Sequence, residues 1–393
     1  MTSDQAVGLR RRDEGPQRAT LLELFLDLVF VAALALTSGK LASDLSWTGA
    51  FQSLVLLMAV WWVWSVTALT TDLYLSQRPP IYLMTISVMF GTMLMAAALP
   101  EAFARDAAVF VGAYVAIHLG RNVFLLPALQ GRQEHRHAAR FFFWFTVSAV
   151  PWLAGAVVSG PARGLLWAAA LVVDYGAAAV RYPTPWLGRV PRSQYSLAAE
   201  HLAERYQQFF TLALGDLILV TSLTYAGTGF APDRTAAFVL GFATAVLLWQ
   251  IYVQRAGALL QAAIEASREP GRLIRSAPYT HLLMVAGVVV AAAGAETVIA
   301  HPTGDTTAGL VGVVLGGPAL FLVGRARFEY EVFHRVSPSR LVALILLVLA
   351  APVMMFVPPL GVAVFGNLVL VGIAVADLLR AHGRPPEPPS PGL

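Results

Sequence analysis

Glu23 and Asp27 stand four residues apart in Leu22–Val31 (LELFLDLVFV), an otherwise apolar stretch. Carboxylates at that spacing share one face of a helix. Each costs roughly 2.5–3.5 kcal/mol to place at the centre of a bilayer. Acids in such a setting either bind a cation or proton, or pair with an arginine of a neighbouring helix. A third acid, Asp216, opens a run (DLILV) that matches the one opened by Asp27 (DLVFV). Asp27 and Asp216 are therefore candidate ion- or proton-binding groups. Glu23, Glu204 and His118 are further pathway candidates. Glu204 could equally be an ordinary helix start, and His118 a hydrogen-bonded interior residue. Arg121, Arg325, Arg205, Asp174 and Asp377 are the candidates for structural ion pairs.

The elements that carry these groups follow from composition. The chain has 393 residues, of which 57% are hydrophobic and 13% charged, against about 25% charged in soluble domains. Mean hydropathy is +0.66, which marks an all-α polytopic membrane protein with the lipid bilayer as its surroundings. There is no cysteine, which excludes disulfides, a thiolate nucleophile and cysteine-ligated metal. Apolar runs of spanning length recur near residues 20–39, 49–71, 81–99, 107–128, 140–159, 163–181, 205–226, 235–254, 280–300, 306–324, 341–357 and 359–379, about twelve in all. Trp47, Trp61, Trp144 and Trp186 fall near their ends, where aromatic belts form.

Of the 27 basic residues, all but Lys40, Arg105, Arg163 and Arg234 fall on one side of this topology. By the positive-inside rule that side is cytoplasmic and holds both termini. The basic pI near 9.5 is thus a topology signal, and no nucleic-acid partner is expected.

The two halves match in order. After the aspartate runs, AALPE at 97–101 matches AGAE at 293–296, and Gly120-Arg121 matches Gly324-Arg325. AVP at 149–151 matches AAP at 350–352, and VVD at 172–174 matches VAD at 375–377. This pattern predicts two parallel six-helix repeats, at 19–182 and 204–380. A cytoplasmic linker at 183–203 joins them, a cytoplasmic segment at 1–18 precedes them, and a disordered Pro-rich tail at 381–393 follows. Repeats of even span number are related by an axis along the membrane normal, with sites near their interface. Asp27 and Asp216 are expected to face each other there. Gly312 and Gly316 form a small-residue face suited to helix packing, including that of a homo-oligomer.

No nucleotide-binding P-loop, zinc-protease, hydrolase-elbow or dinucleotide motif is present, and no metal, cofactor or catalytic residue is assigned. The expected function is a transporter or channel for an ion or small solute, using intramembrane carboxylates at the repeat interface. The alternatives are an intramembrane enzyme acting on a lipid or isoprenoid through Glu23, Asp27 and His118, and a membrane sensor or scaffold.

ELFLDLVFV at 23–31 resembles the first-helix motif of the bacterial low temperature requirement A family, with Leu26 where a second Phe stands. His201, Glu204, Arg205 and Tyr206, followed by Leu214-Gly215-Asp216, resemble that family's H-x-x-E-R-[FY] and L-G-E features, with Asp216 in place of Glu. The resemblance implies a multi-pass protein of the bacterial plasma membrane; it implies no reaction. Phe25–Phe30 is also similar in outline to the first helix of potassium channels built from six-helix repeats. The Ser of their Phe-Ser-Asp motif is absent, and Leu21 stands where their Arg would.

Overall fold

The computed structural model describes residues 19–74, 78–130, 133–191, 199–253, 260–267, 270–382 and 389. The expected N-terminal segment 1–18 and nearly all of the tail lie outside the described residues. Thirteen α-helices are described: α1 (Leu21–Ser43), α2 (Trp47–Leu73), α3 (Pro79–Ala98), α4 (Ala107–Ala128), α5 (Gln133–Val157), α6 (Pro161–Ala179) and α7 (Ala199–Ala226). They continue as α8 (Pro232–Val253), the short α9 (Leu260–Ala266), α10 (Pro270–Ala300), α11 (Ala308–Phe333), α12 (Pro338–Met354) and α13 (Pro359–Ala381). No strand occurs among the described residues.

Helix is the solution an apolar environment demands, since it satisfies backbone polar groups within the segment. Proline opens α3, α6, α8, α10, α12 and α13, where its missing N–H and fixed φ cost nothing. Thr307 caps α11 by accepting from the Leu310 amide at 3.2 Å. Threonines inside α2 and α3 return their hydroxyls to carbonyls four residues back: Thr67 to Val63, Thr70 to Val66, Thr85 to Ile81 and Thr92 to Val88. This satisfies the hydroxyl donor without a partner from outside the helix.

Each of the twelve apolar runs coincides with a helix, and among the described residues ten helices are long and apolar enough to cross a membrane. The remaining two are α6, which carries Arg163 and Asp174, and α12, which has 17 residues. The helix start at Ala199 takes His201 into α7, whereas the linker was expected to run to 203. His135–His137 belongs to α5.

The chain divides into two compact units, Met1–Leu36 with Leu54–Arg205, and Thr37–Ser53 with Tyr206–Leu393. The first unit packs on aromatic residues. Trp152, Trp167 and Phe110 are fully buried together, and the Trp167 indole donates to the Trp152 carbonyl at 3.2 Å. Trp61, expected at a membrane interface, is instead buried against Trp64, while Trp47 and Trp186 are exposed. Arg163 is buried and ties the α5–α6 turn by donating to the carbonyls of Gly155, Val158 and Ala104.

The second unit is organised around α10 and α11, which pack closely along their length. A methyl at Gly287, Gly294, Gly317 or Gly324 would lie 2.4–3.1 Å from the facing helix, so backbone approaches backbone there. The expected packing face at Gly312 and Gly316 is not part of this seam. A methyl added at either position would meet no other part of the described structure within 4 Å, and both line an apolar groove of about 430 Å³ between α11 and α12.

Candidate functional site

The first unit holds a fully buried group of charged side chains drawn from the starts of α1 and α7 and from α2. Thr20-Leu-Leu-Glu23 opens α1 as a reciprocal cap. The Thr20 amide donates to Glu23 Oε2 at 2.7 Å, and the Glu23 amide donates to Thr20 Oγ1 at 3.3 Å. This capping-box pattern turns the Glu23 carboxylate back toward the helix start. The same oxygen lies 3.2 Å from His201 Nε2, and the other ring nitrogen, Nδ1, lies 2.8 Å from Asp72 Oδ1. Glu23 and His201 are 0% exposed and Asp72 2%.

One turn further along, Asp27 takes three donors. Arg205 Nη1 donates to Oδ2 at 2.9 Å and Nη2 to Oδ1 at 2.7 Å, a two-point clamp. The Trp64 indole N–H donates to Oδ1 at 2.8 Å. Both Asp27 and Arg205 are 0% exposed. The pairs Glu23–His201 and Asp27–Arg205 have the same sequence separation, 178 residues. The i,i+4 acid pair on α1 therefore meets an i,i+4 basic pair on α7, with the two helices running in the same direction.

The chemistry of this group follows from its donor inventory. An ionised carboxylate only accepts, and a neutral imidazole has one N–H. With both acids ionised, His201 must carry two protons. With a neutral ring, either Glu23 or Asp72 must carry one. Glu23, His201 and Asp72 thus share a proton along a line from α1 to α2. The neighbouring Asp27–Arg205 pair is charge-balanced. Burial is tolerable because each charge meets an opposite one, whereas removing a single partner would strand the other.

The other expected site residues take separate positions. Glu204 accepts from the Ala19 amide at 3.1 Å, next to the start of α1. Asp216 is 0% exposed in the second unit, where Ser38 donates its hydroxyl at 2.9 Å. His118 is buried against the rings of Tyr114 and Phe145. Asp174, expected in an ion pair, accepts instead from the Tyr114 hydroxyl at 2.7 Å and the Trp152 indole at 3.4 Å. Arg121, also expected in an ion pair, donates to Thr67 Oγ1 at 2.8 Å and meets no carboxylate among the described residues. Arg325 donates to the Ile251 carbonyl at 3.1 Å. Asp377 pairs with Arg340, which also lies 3.5 Å from Glu329.

Three participants were missed from sequence: Asp72, Trp64 as a donor, and Arg340. Asp72 ends the apolar run of α2 (SVTALTTDL) two turns beyond Trp64. An acid closing a span next to a tryptophan-rich face was the signal available. Trp64 lay in the WWVW cluster, where packing alone explains the composition and hides a single polar contact.

The two arms of this cluster lie in the two stretches with a recognisable pattern, ELFLDLVFV and HLAERY. Residues 18–375 match the family described as bacterial low temperature requirement A protein (LtrA). The chain belongs to the LtrA family. It is 32% identical over 383 residues to an uncharacterized protein of Rhizobium meliloti (strain 1021), covering 95% of this chain and 92% of that one. No solved structure matches. As an LtrA protein with ten helices long and apolar enough to cross, this is a multi-pass membrane protein. Its two LtrA-like stretches meet through Glu23, Asp27, His201 and Arg205.

Proposed function

We propose that this LtrA protein is a proton-coupled transporter or channel for an ion or small solute, with the buried α1–α2–α7 cluster as its proton-handling element. The observation that carries this reading is His201, held at both ring nitrogens by carboxylates of different helices in a fully buried setting. A charge-balanced structural pair needs one acid and one base. Here an imidazole bridges two acids beside a second pair, which leaves one proton to be exchanged. Intramembrane ionisable groups arranged in this way are the usual material of proton relays.

The associated topology is twelve spans in the bacterial plasma membrane with both termini cytoplasmic. Two contacts support that count. The parallel run of α1 and α7 calls for an odd number of crossings between them, hence five with α6 included. In the second unit, Arg340 at the start of α12 meets Asp377 near the end of α13. The two helices are thus antiparallel, and the 17 residues of α12 reach about 25 Å.

The test is reconstitution into liposomes carrying an internal pH-sensitive dye, with imposed proton, potassium and sodium gradients. Proton-linked flux is expected in the native protein and is expected to be lost in His201→Gln and in Asp72→Asn. Flux that survives in both variants, or no flux under any gradient, would overturn the assignment.

A further inference from the structure

We infer that Arg121 holds a halide-sized monovalent anion in a cavity between α2, α4 and α5. This inference stands on the geometry of Arg121 alone and does not depend on the transport reading. Arg121 is 4% exposed, and a guanidinium stays charged under all ordinary conditions. Its Nη2 donates to Thr67 Oγ1, whose own hydrogen is committed to the Val63 carbonyl at 2.6 Å. Nε and Nη1 are buried and have no hydrogen-bond partner. No carboxylate among the described residues pairs with this arginine, in contrast to Arg205 and Arg340.

Removing a full charge from water costs several kcal/mol unless an opposite charge meets it. Arg121 lines a cavity of about 30 Å³, with Asn122, Thr70, Tyr74 and His137 as its other polar neighbours and Phe141 and Phe145 among its apolar ones. A single water needs roughly 10–15 Å³ of such space. The cavity therefore takes about two or three waters or one monatomic anion. The unpartnered Nε and Nη1 of one buried guanidinium are the donor set of a halide site. The neutral threonine and asparagine beside them add no competing negative charge. Thr67, which orients the guanidinium, lies on α2 between Trp64 and Asp72, so the same helix also braces the carboxylate cluster.

The test uses the full-length protein purified in detergent. Thermal unfolding is followed in sodium gluconate, into which sodium chloride or bromide is substituted at constant ionic strength. The native protein is expected to gain roughly 2 °C or more in Tm for each tenfold of halide above half-saturation. Arg121→Met is expected to lose that dependence. No halide dependence in the native protein, or an equal dependence in Arg121→Met, would overturn the inference. Should Arg121→Met fail to fold, anomalous diffraction from native crystals grown in bromide decides. A bromide peak at Nε and Nη1 supports the site, whereas water alone or a lipid phosphate at that position overturns it.

Discussion

Arg205 and Arg121 are both buried in the first unit, and both act on groups carried or braced by α2, yet their surroundings differ in kind. Arg205 clamps Asp27 at two points, and Asp27 is in turn fixed by the Trp64 indole. Arg121 donates to one hydroxyl and borders a cavity. The first arrangement is closed, because every charge is matched by side chains of the fold. The second is open, because the matching charge has to arrive from outside the chain. A buried charge therefore reveals little until its partners are known. A balanced pair holds helices in register, and an unbalanced charge marks a place where something binds.

Substitutions at three places, beside the Arg121→Met comparison above, test how closely the fold matches its interior groups. Arg205→Met should have the largest effect, because it strands Asp27 in the interior. A loss of about 3–5 kcal/mol is expected, measured by thermal or denaturant unfolding in detergent. Adding Asp27→Asn to that variant should restore part of the loss, and equal stability of the single and double variants would contradict the pairing. An intermediate effect is expected at the α10–α11 seam. Gly317→Val, whose added carbon would meet the Ala291 backbone at 2.5 Å, should cost about 1–3 kcal/mol through overpacking. The same change at Gly312, which faces the groove, should be nearly silent, and comparing the two melting temperatures checks it. The smallest effect is expected at Asp216. Asn can still accept from Ser38, so Asp216→Asn should shift stability by less than about 1 kcal/mol, well below Asp27→Asn in the same assay.

The matched positions of the two halves diverge in the same way. Asp27 is clamped by an arginine, and Asp216 accepts from a serine. Asp174 is held by Tyr114 and Trp152, and Asp377 by Arg340. Similar sequence does not fix the depth of the acid: Asp27 lies in the first turns of α1, whereas Asp216 lies past the middle of α7. The partner of each acid depends on which side chains the neighbouring helices present, and those differ between the halves. The expectation that Arg121 would serve as an ion-pair partner failed for this reason. Its own helix was read correctly, but nothing in α4 reports what α2 and α5 bring to it.

The helices themselves were legible because a bilayer imposes one length, one secondary structure and one rule for basic residues. The twelve apolar runs all became helices, and prolines opened many of them. Glu23 and Asp27 could be placed on one face from their spacing alone, as could His201 and Arg205. That the two pairs meet, that Asp72 closes the line through His201, and that Trp64 supplies a hydrogen bond as well as packing were tertiary outcomes. They rest on contacts 37–178 residues apart, a range over which local periodicity carries no information. The sequence determined where charge enters the membrane, because hydropathy is a property of each segment. Only the assembled helices decided which charges are matched and which remain open, because matching is a property of pairs.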